Sequence, residues 1–414
     1  MTTTHQPTHS RAPFFGWAIV GFTLIMQFLT MGTGYYTYGV LLVPLTESLD
    51  ADRFLVSLGL SLQTLVMALL GPAVGAAVAE RSVRVLMLGG AAVLSAGFVL
   101  LSQATQLWHL YVAYGAVVAT GMAMTGPLPS NALLANWFVK RRGTALGISQ
   151  FGVTISGTIM VPVTSWIVVT WDWRVATLVF AAAPILIMMP LIWKFAVKHP
   201  EDMGLFADGA LQSPGGPDTG SGKWSLLRAL KDREVRMLTL VVGPTFMAIG
   251  SVVLSMHSHA TDAGLTVLQA STIVAAVTLA GALAKPLFGI LSDRFDKRWV
   301  VTVSLTCQIA GVLGIIVVDG FWGLTAAGSL FGLGYGGMMP LWSVLIATLF
   351  GHQAFARVMG LMGPLTVPFT LAGLPFTTFV FERTGSYVPA YAIMLTAFFV
   401  SLTALWLLRL PEEA

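Results

Sequence analysis

The chain has 414 residues, of which 56% are apolar and only 10% charged, against roughly a quarter charged in an average soluble domain. Lys and Arg number 22, Asp and Glu 18, and the lone cysteine, Cys307, sits inside an apolar run. These figures exclude a disulfide framework or a structural zinc site. They also argue against a soluble enzyme or a nucleic-acid binder, because so much apolar surface needs lipid as its solvent.

Met1 to Ala12 is polar. The apolar stretch after it is too long for a signal-peptide core and has no small-residue cleavage pattern, so it is expected to remain as a span. Apolar runs read against charged links give spans over 14–44, 53–79, 84–104, 108–138, 143–170, 174–197, 235–260, 267–292, 299–318, 321–350, 356–382 and 387–409. Each is about 20 residues or more, enough as helix to cross roughly 30 Å of hydrocarbon. Barrel strands would alternate apolar and polar residues, and these runs are unbroken. The expected fold class is therefore an all-α membrane protein with twelve transmembrane helices.

Between the sixth and seventh spans, the stretch 213–222 is built from Ser, Pro, Gly, Asp and Thr and reads as a flexible linker. The mixed-charge piece from Lys223 to Arg236 reads as a short surface helix. The expected division is an N-terminal six-helix bundle (1–197), a cytoplasmic linker (198–234) and a C-terminal six-helix bundle (235–414).

Of the 22 basic residues, Arg53, Arg174 and Arg383 fall in links on one side, Lys285 falls well inside a span, and the others gather on the side of the termini. The positive-inside rule makes that side cytoplasmic. The expected location is a bacterial inner or plasma membrane, multi-pass, with both termini in the cytoplasm. Glu47, Asp50, Asp52, Asp172, Asp262, Asp319 and Glu382 then face outward.

An internal repeat organises the spans. Gly71-Pro72, Gly75 and Arg84 line up with Lys285-Pro286, Gly289 and Arg298, 214 positions later. Phe138, Gly147 and Pro162 meet Phe350, Gly360 and Pro375 at 212 to 213 positions. The two halves are thus expected to be pseudo-symmetric, with a substrate site near the midplane between them. The repeated glycines allow helices to approach closely, and the prolines allow matching kinks.

The segment Gly289-Ile-Leu-Ser-Asp293-Arg294-Phe-Asp296-Lys297-Arg298 resembles the Gly-x-x-x-Asp-Arg-x-Gly-Arg-Arg signature of the major facilitator superfamily. In the first half Ala79 stands where that signature has Asp, with Glu80 beside it. The resemblance implies gating roles for Asp293, Arg294, Arg298 and Arg84. Within the superfamily, Trp137 to Gly147, the Gly332-Leu-Gly334-Tyr335-Gly336 run and Ala284-Lys285-Pro286 are similar to the monocarboxylate and oxalate/formate transporters. Monocarboxylate transporters usually read Ala-Arg-Pro at the third segment, with the Arg taken to bind substrate carboxylate. Here the residue is Lys285, and Gly281 stands where the family often has Asp or Asn one turn earlier.

Independently of the resemblance, a Lys at the centre of a span costs about 2.5 to 3.5 kcal/mol on insertion scales. That cost points to a counter-ion for an anionic substrate, against the alternative of a side chain snorkelling to the interface. Lysine, unlike arginine, can release its proton at accessible pH, so Lys285 and His257 are the proton-coupling candidates. Asn131, Gln150, Gln27 and Tyr335 lie at similar depth and, with Tyr38 nearer the outer end, complete the expected substrate-binding set, although Asn and Gln in spans also serve simply to tie helices together. His257 and His259 are two residues apart and so point to different helix faces, which argues against a shared metal site.

The expected function is secondary active transport of a small organic anion, a monocarboxylate, with proton symport by alternating access. No phosphate loop, nucleophile elbow or carboxylate pair points to an enzyme, and no cofactor is called for. Partners are expected to be the organic anion, protons and the lipid bilayer around a monomer. Two rivals stand beside this reading: an exporter of hydrophobic or acidic drug-like compounds, which the 19 methionines would suit, and a transporter-like sensor without flux.

Overall fold

The computed structural model describes residues 14–209 and 224–410. All regular structure among the described residues is helical. The spans are α1 (Gly16–Ser48), α2 (Arg53–Glu80), α3 (Val83–Ser102), α4 (Leu107–Trp137), α5 (Arg142–Thr170) and α6 (Trp173–Phe195). They continue with α7 (Arg233–Val253, extended by Leu254–Asp262), α8 (Val267–Arg294) and α9 (Lys297–Val317). The next segment, Gly320–Thr384, has 65 residues, which as one helix would run about 100 Å, three times the hydrocarbon thickness. Gly351, at φ 71° and ψ 173°, breaks it into α10 (320–350) and α11 (352–384), and α12 (Val388–Leu407) follows. These form the two six-helix bundles expected from the repeat, with span limits moved by several residues at most.

Side chains and glycines set the helix ends. Asp232 accepts from the backbone N–H groups of Glu234 and Val235 to start α7, and Asp296 does the same for Arg298 and Trp299 at α9. Thr266 and Gln269 form a reciprocal capping box at α8. Gly385, with φ 68°, closes α11 in the left-handed conformation that disfavours a side chain. Inside the spans, α1 widens into a π-helical turn at Gly32–Tyr36 and α7 does so at Ile249–Val253. Such turns reorient the side chains that follow.

The end of the molecule that carries residues 80–83, 137–142, 294–297 and 351 gathers most of the basic side chains and is called the basic end below. There the repeat reappears as packing. The guanidinium of Arg84 lies 5.9 Å from the ring centre of Trp193 on α6, and that of Arg298 lies 5.4 Å from Trp406 on α12. Arg298 also donates to Leu408 O at 2.7 Å. Each arginine thus fastens an outer pair of helices within its own bundle, and neither reaches across to the other. Removing either side chain should cost about 1 to 2 kcal/mol. Arg298→Met, which also loses a hydrogen bond, should lower the thermal unfolding midpoint more than Arg84→Met, and the same midpoint in detergent would show the opposite order if the two stacks were not equivalent.

The stretch read as a linker divides. Its part over 210–223, including the Pro/Gly/Ser run, lies outside the described residues. The part before it is tied down: Asp208 accepts from the backbone N–H groups of Val139 and Lys140 at 2.9 and 2.7 Å. The part after it forms the short helix Leu226–Lys231, capped by Ser225.

Candidate functional site

At the basic end the bundles touch through two helix pairs, α2 with α11 and α5 with α8, and glycines make both contacts. A Cβ on Gly71 would stand 2.5 Å from Gly360 O, and one on Gly360 would stand 3.2 Å from Gly75 Cα. In the other pair a Cβ on Gly147 would stand 3.0 Å from Pro286 Cα, and one on Gly289 would collide with Gly143 O. The shortest of these approaches are ones that real Cβ atoms do not make and the others are uncommon, so backbone meets backbone at both crossings.

Charge reinforces each crossing differently. The Asp293 carboxylate accepts from Gly143 N and Thr144 N, both at 2.7 Å, so it caps the N-terminus of α5 from the opposite bundle. A carboxylate at a helix N-terminus is favoured by the helix dipole and by charge-assisted hydrogen bonding. The α2–α11 crossing, which has Ala79 in the equivalent place, relies on a 2.8 Å ion pair between Glu80 and Arg357. Arg294 is exposed.

Deeper between the bundles lies a polar layer. Lys285 is 5% exposed, and its ammonium donates to Gln150 O at 3.1 Å and to Thr154 Oγ1 at 2.5 Å, both on α5. Among the described residues no carboxylate pairs with it. Ser343 Oγ on α10 accepts from Asn131 Nδ2 at 3.3 Å and Gln150 Nε2 at 3.4 Å, which draws α4, α5 and α10 together. Asn131 Oδ1 is buried without a partner among the described residues. Tyr335 stands beside Gly281: a Cβ there would lie 2.6 Å from the tyrosine hydroxyl. Because Gly281 precedes Lys285 by one helical turn on the same face, the Tyr335 hydroxyl fills the room that a side chain at 281 would take.

Next to this layer is a cavity of about 390 Å³. Four methionines, Met31, Met67, Met122 and Met359, together with Phe246 and Trp342, make much of its wall. Met side chains adapt to varied apolar shapes. The Trp342 indole N–H has no hydrogen-bond partner among the described residues. Tyr36 also lines the cavity and lies near Thr154, the residue that accepts from Lys285. The buried ammonium is thus one threonine away from a residue of the cavity wall.

Lys285, Gln150, Asn131 and Tyr335 therefore come together, and Tyr36, Thr154, Ser343 and Trp342 join them. Tyr38 does not: its hydroxyl donates to Val56 O and its ring packs 4.5 Å from Tyr114, inside the first bundle. The π-helical turn that precedes it leaves Tyr35 and Tyr36 on the cavity instead. Gln27 donates to Ser149 Oγ at 2.6 Å and ties α1 to α5 away from the cavity. His257 is half-buried at the far end of α7, and His259 packs 5.6 Å from both Tyr387 and Tyr391. Arg84 and Arg298 belong to the aromatic stacks within the bundles and take no part in the crossings.

Two six-helix bundles that meet at glycine crossings over a central cavity define a membrane carrier. The family model described as Major Facilitator Superfamily matches residues 23–258 and 237–414, and the chain belongs to that family. It is a multi-pass membrane transporter of small molecules. Among curated proteins it is similar to Monocarboxylate transporter 13 of Bos taurus, 24% identical over 91% of this chain and 85% of the relative. It is also similar to Monocarboxylate transporter 11 of Homo sapiens, 25% identical over 94% and 82%. Among solved structures it resembles the E.coli fucose:proton symporter, with a TM-score of 0.71 at 16% identity over 95% of this chain and 99% of that one. That last likeness speaks to the fold.

Proposed function

We propose that the protein carries a small organic anion of the monocarboxylate class together with a proton, by alternating access. The observation that carries this reading is the Lys285 ammonium, 5% exposed between the bundles and held by neutral acceptors alone. A buried cation without a counter-charge attracts an anion. The names of the relatives, monocarboxylate transporters, support the same class of cargo. The methionine-rich cavity beside it suits an anion with an apolar body, and the unpaired Trp342 N–H and the Tyr335 hydroxyl offer further donors to a carboxylate.

Proton coupling follows from linkage. A bound anion favours the charged form of a nearby ammonium, so anion and proton enter together. The bundles 1–197 and 235–414 rock about the segment 198–234, and the basic end faces the cytoplasm by the positive-inside rule. The glycine crossings and Asp293 then close the inner side. Proteoliposomes offered a panel of short carboxylates from outside provide the test: an acid-outside gradient should accelerate uptake of the preferred acid several-fold. Uptake indifferent to the gradient rejects the coupling, while uptake of none of the acids alongside efflux of apolar dyes favours the exporter reading that the methionines also suit.

A further inference from the structure

A second cavity, about 370 Å³, opens at the basic end on the α2–α11 side. Its wall includes Ala79, Ala356, Lys198, His199, His352 and Arg357, and no carboxylate is among the described residues that line it. Its position in the repeat is informative. Ala79 is the counterpart of Asp293, 214 positions away, and Asp293 fills the equivalent place at the α5–α8 crossing by capping a helix start. On the α2–α11 side the carboxylate is missing and a cavity with cationic walls stands there.

The polar groups around that cavity come from the start of the linker and from the second bundle. Lys198 donates to Ala79 O at 2.6 Å and to Arg81 O at 3.4 Å, and an ammonium has three donors. Arg357 approaches from α11, whose first turn after Gly351 begins at His352 and Gln353, both on the cavity wall. The opening N–H groups of a long helix lack intrahelical acceptors and favour an anion. Burial pulls Lys198 below the ordinary lysine range, with Asp202 opposing the change and Arg357 adding to it. Two acidic groups are near: Glu80 pairs with Arg357 from outside the cavity, and Asp202 caps the turn at His199.

We infer that this cavity binds a phosphate-class oxyanion, which takes the place of the carboxylate absent at Ala79 and holds the α2–α11 crossing closed. The oxyanion joins Lys198, which opens the linker and is held to α2 through Ala79 O and Arg81 O, to Arg357 and the α11 start of the second bundle. Free phosphate and the phosphate of an anionic lipid share this chemistry.

The test uses the full chain in nanodiscs of zwitterionic lipid with no transported substrate present. Inorganic phosphate, titrated at constant ionic strength, should raise the thermal unfolding midpoint saturably. Lys198→Gln should weaken the half-saturating concentration by about ten- to a hundredfold, as the loss of a charged hydrogen bond does. Ala79→Asp should raise the midpoint without phosphate and remove the response, and Ala79→Leu, which fills the space without charge, should also remove it. Discs containing phosphatidylglycerol form the second arm: a Lys198-dependent rise there, with none from free phosphate, assigns the oxyanion to the lipid. A response to neither source, or one that persists unchanged in both Lys198→Gln and Ala79→Leu, overturns the inference. Because no cargo is present, the outcome is independent of what the central site carries.

Discussion

Lys285→Met is expected to reduce saturable uptake of the preferred carboxylate by about two orders of magnitude, the scale on which a buried charge partner is lost. The same substitution should leave the unfolding midpoint unchanged or raise it. Two facts make the stability half of this expectation firm. Gln150 O lies inside helix α5 and the Thr154 hydroxyl can turn to a carbonyl of its own helix, so neither acceptor is stranded when the ammonium goes. The membrane cost of a central Lys, about 2.5 to 3.5 kcal/mol, disappears as well. A residue kept for packing would show the reverse, a lowered midpoint with transport retained. Lys285→Arg separates charge from proton exchange: it should still take up the anion but lose the response to an imposed pH gradient, since guanidinium stays charged. If Lys285→Met transports as well as the native protein, the anion site is elsewhere.

The second large effect is expected from the crossings. Gly147→Val and Gly360→Val each put a branched side chain where a backbone from the other bundle stands, against Pro286 Cα in one case and Gly75 Cα in the other. Both variants should open the basic end. Spin labels on the exposed positions Lys140 and Arg294, in a background with Cys307→Ser, read the α5–α8 side directly. Gly147→Val should lengthen their separation and slow net uptake, because one of the two alternating states is lost. An unchanged distance distribution in Gly147→Val would mean that the crossing yields without opening. Asp293→Asn should act in the same direction but less strongly, since the amide keeps one acceptor for the N–H groups it caps and loses the charge.

The fold was legible because lipid imposes a coarse rule: unbroken apolar runs separated by charge, repeated at half the chain length. Glycine and proline positions carried the repeat, and the glycines proved to be the crossings. The polar layer was half legible. Asn131, Gln150 and Lys285 could be placed by counting from charged ends, but hydroxyl residues leave little mark on hydropathy, so Ser343 and Thr154 were missed. The repeat held a signal for Ser343, since the offset of 212 that joins Phe138 to Phe350 also joins Asn131 to Ser343. Tyr38 stood in the expected set and Tyr36 lines the cavity, a difference that depends on a π-helical turn, which shifts the phase of every later side chain without altering composition. The family signature drew attention to Arg84 and Arg298, whereas Glu80 and Arg357, which cross between bundles, stand together only in three dimensions.

The hydrogen bond between Asn131 and Ser343 has a geometric meaning. Residues equivalent in the two halves touch each other only on the pseudo-dyad, where in a homodimer of identical halves a residue would face its own copy in an isologous contact. Fusion of the halves into one chain removes that constraint, so the axis can hold an amide against a hydroxyl. It also lets the flanks differ: Lys285 has Gly71 as its mate, and Gly71 borders the methionine-rich cavity. On the proposed reading, a cargo lying across the axis meets a cation on one flank and apolar surface on the other. Such a site has polarity, and a molecule with a single charged end can enter it in only one orientation.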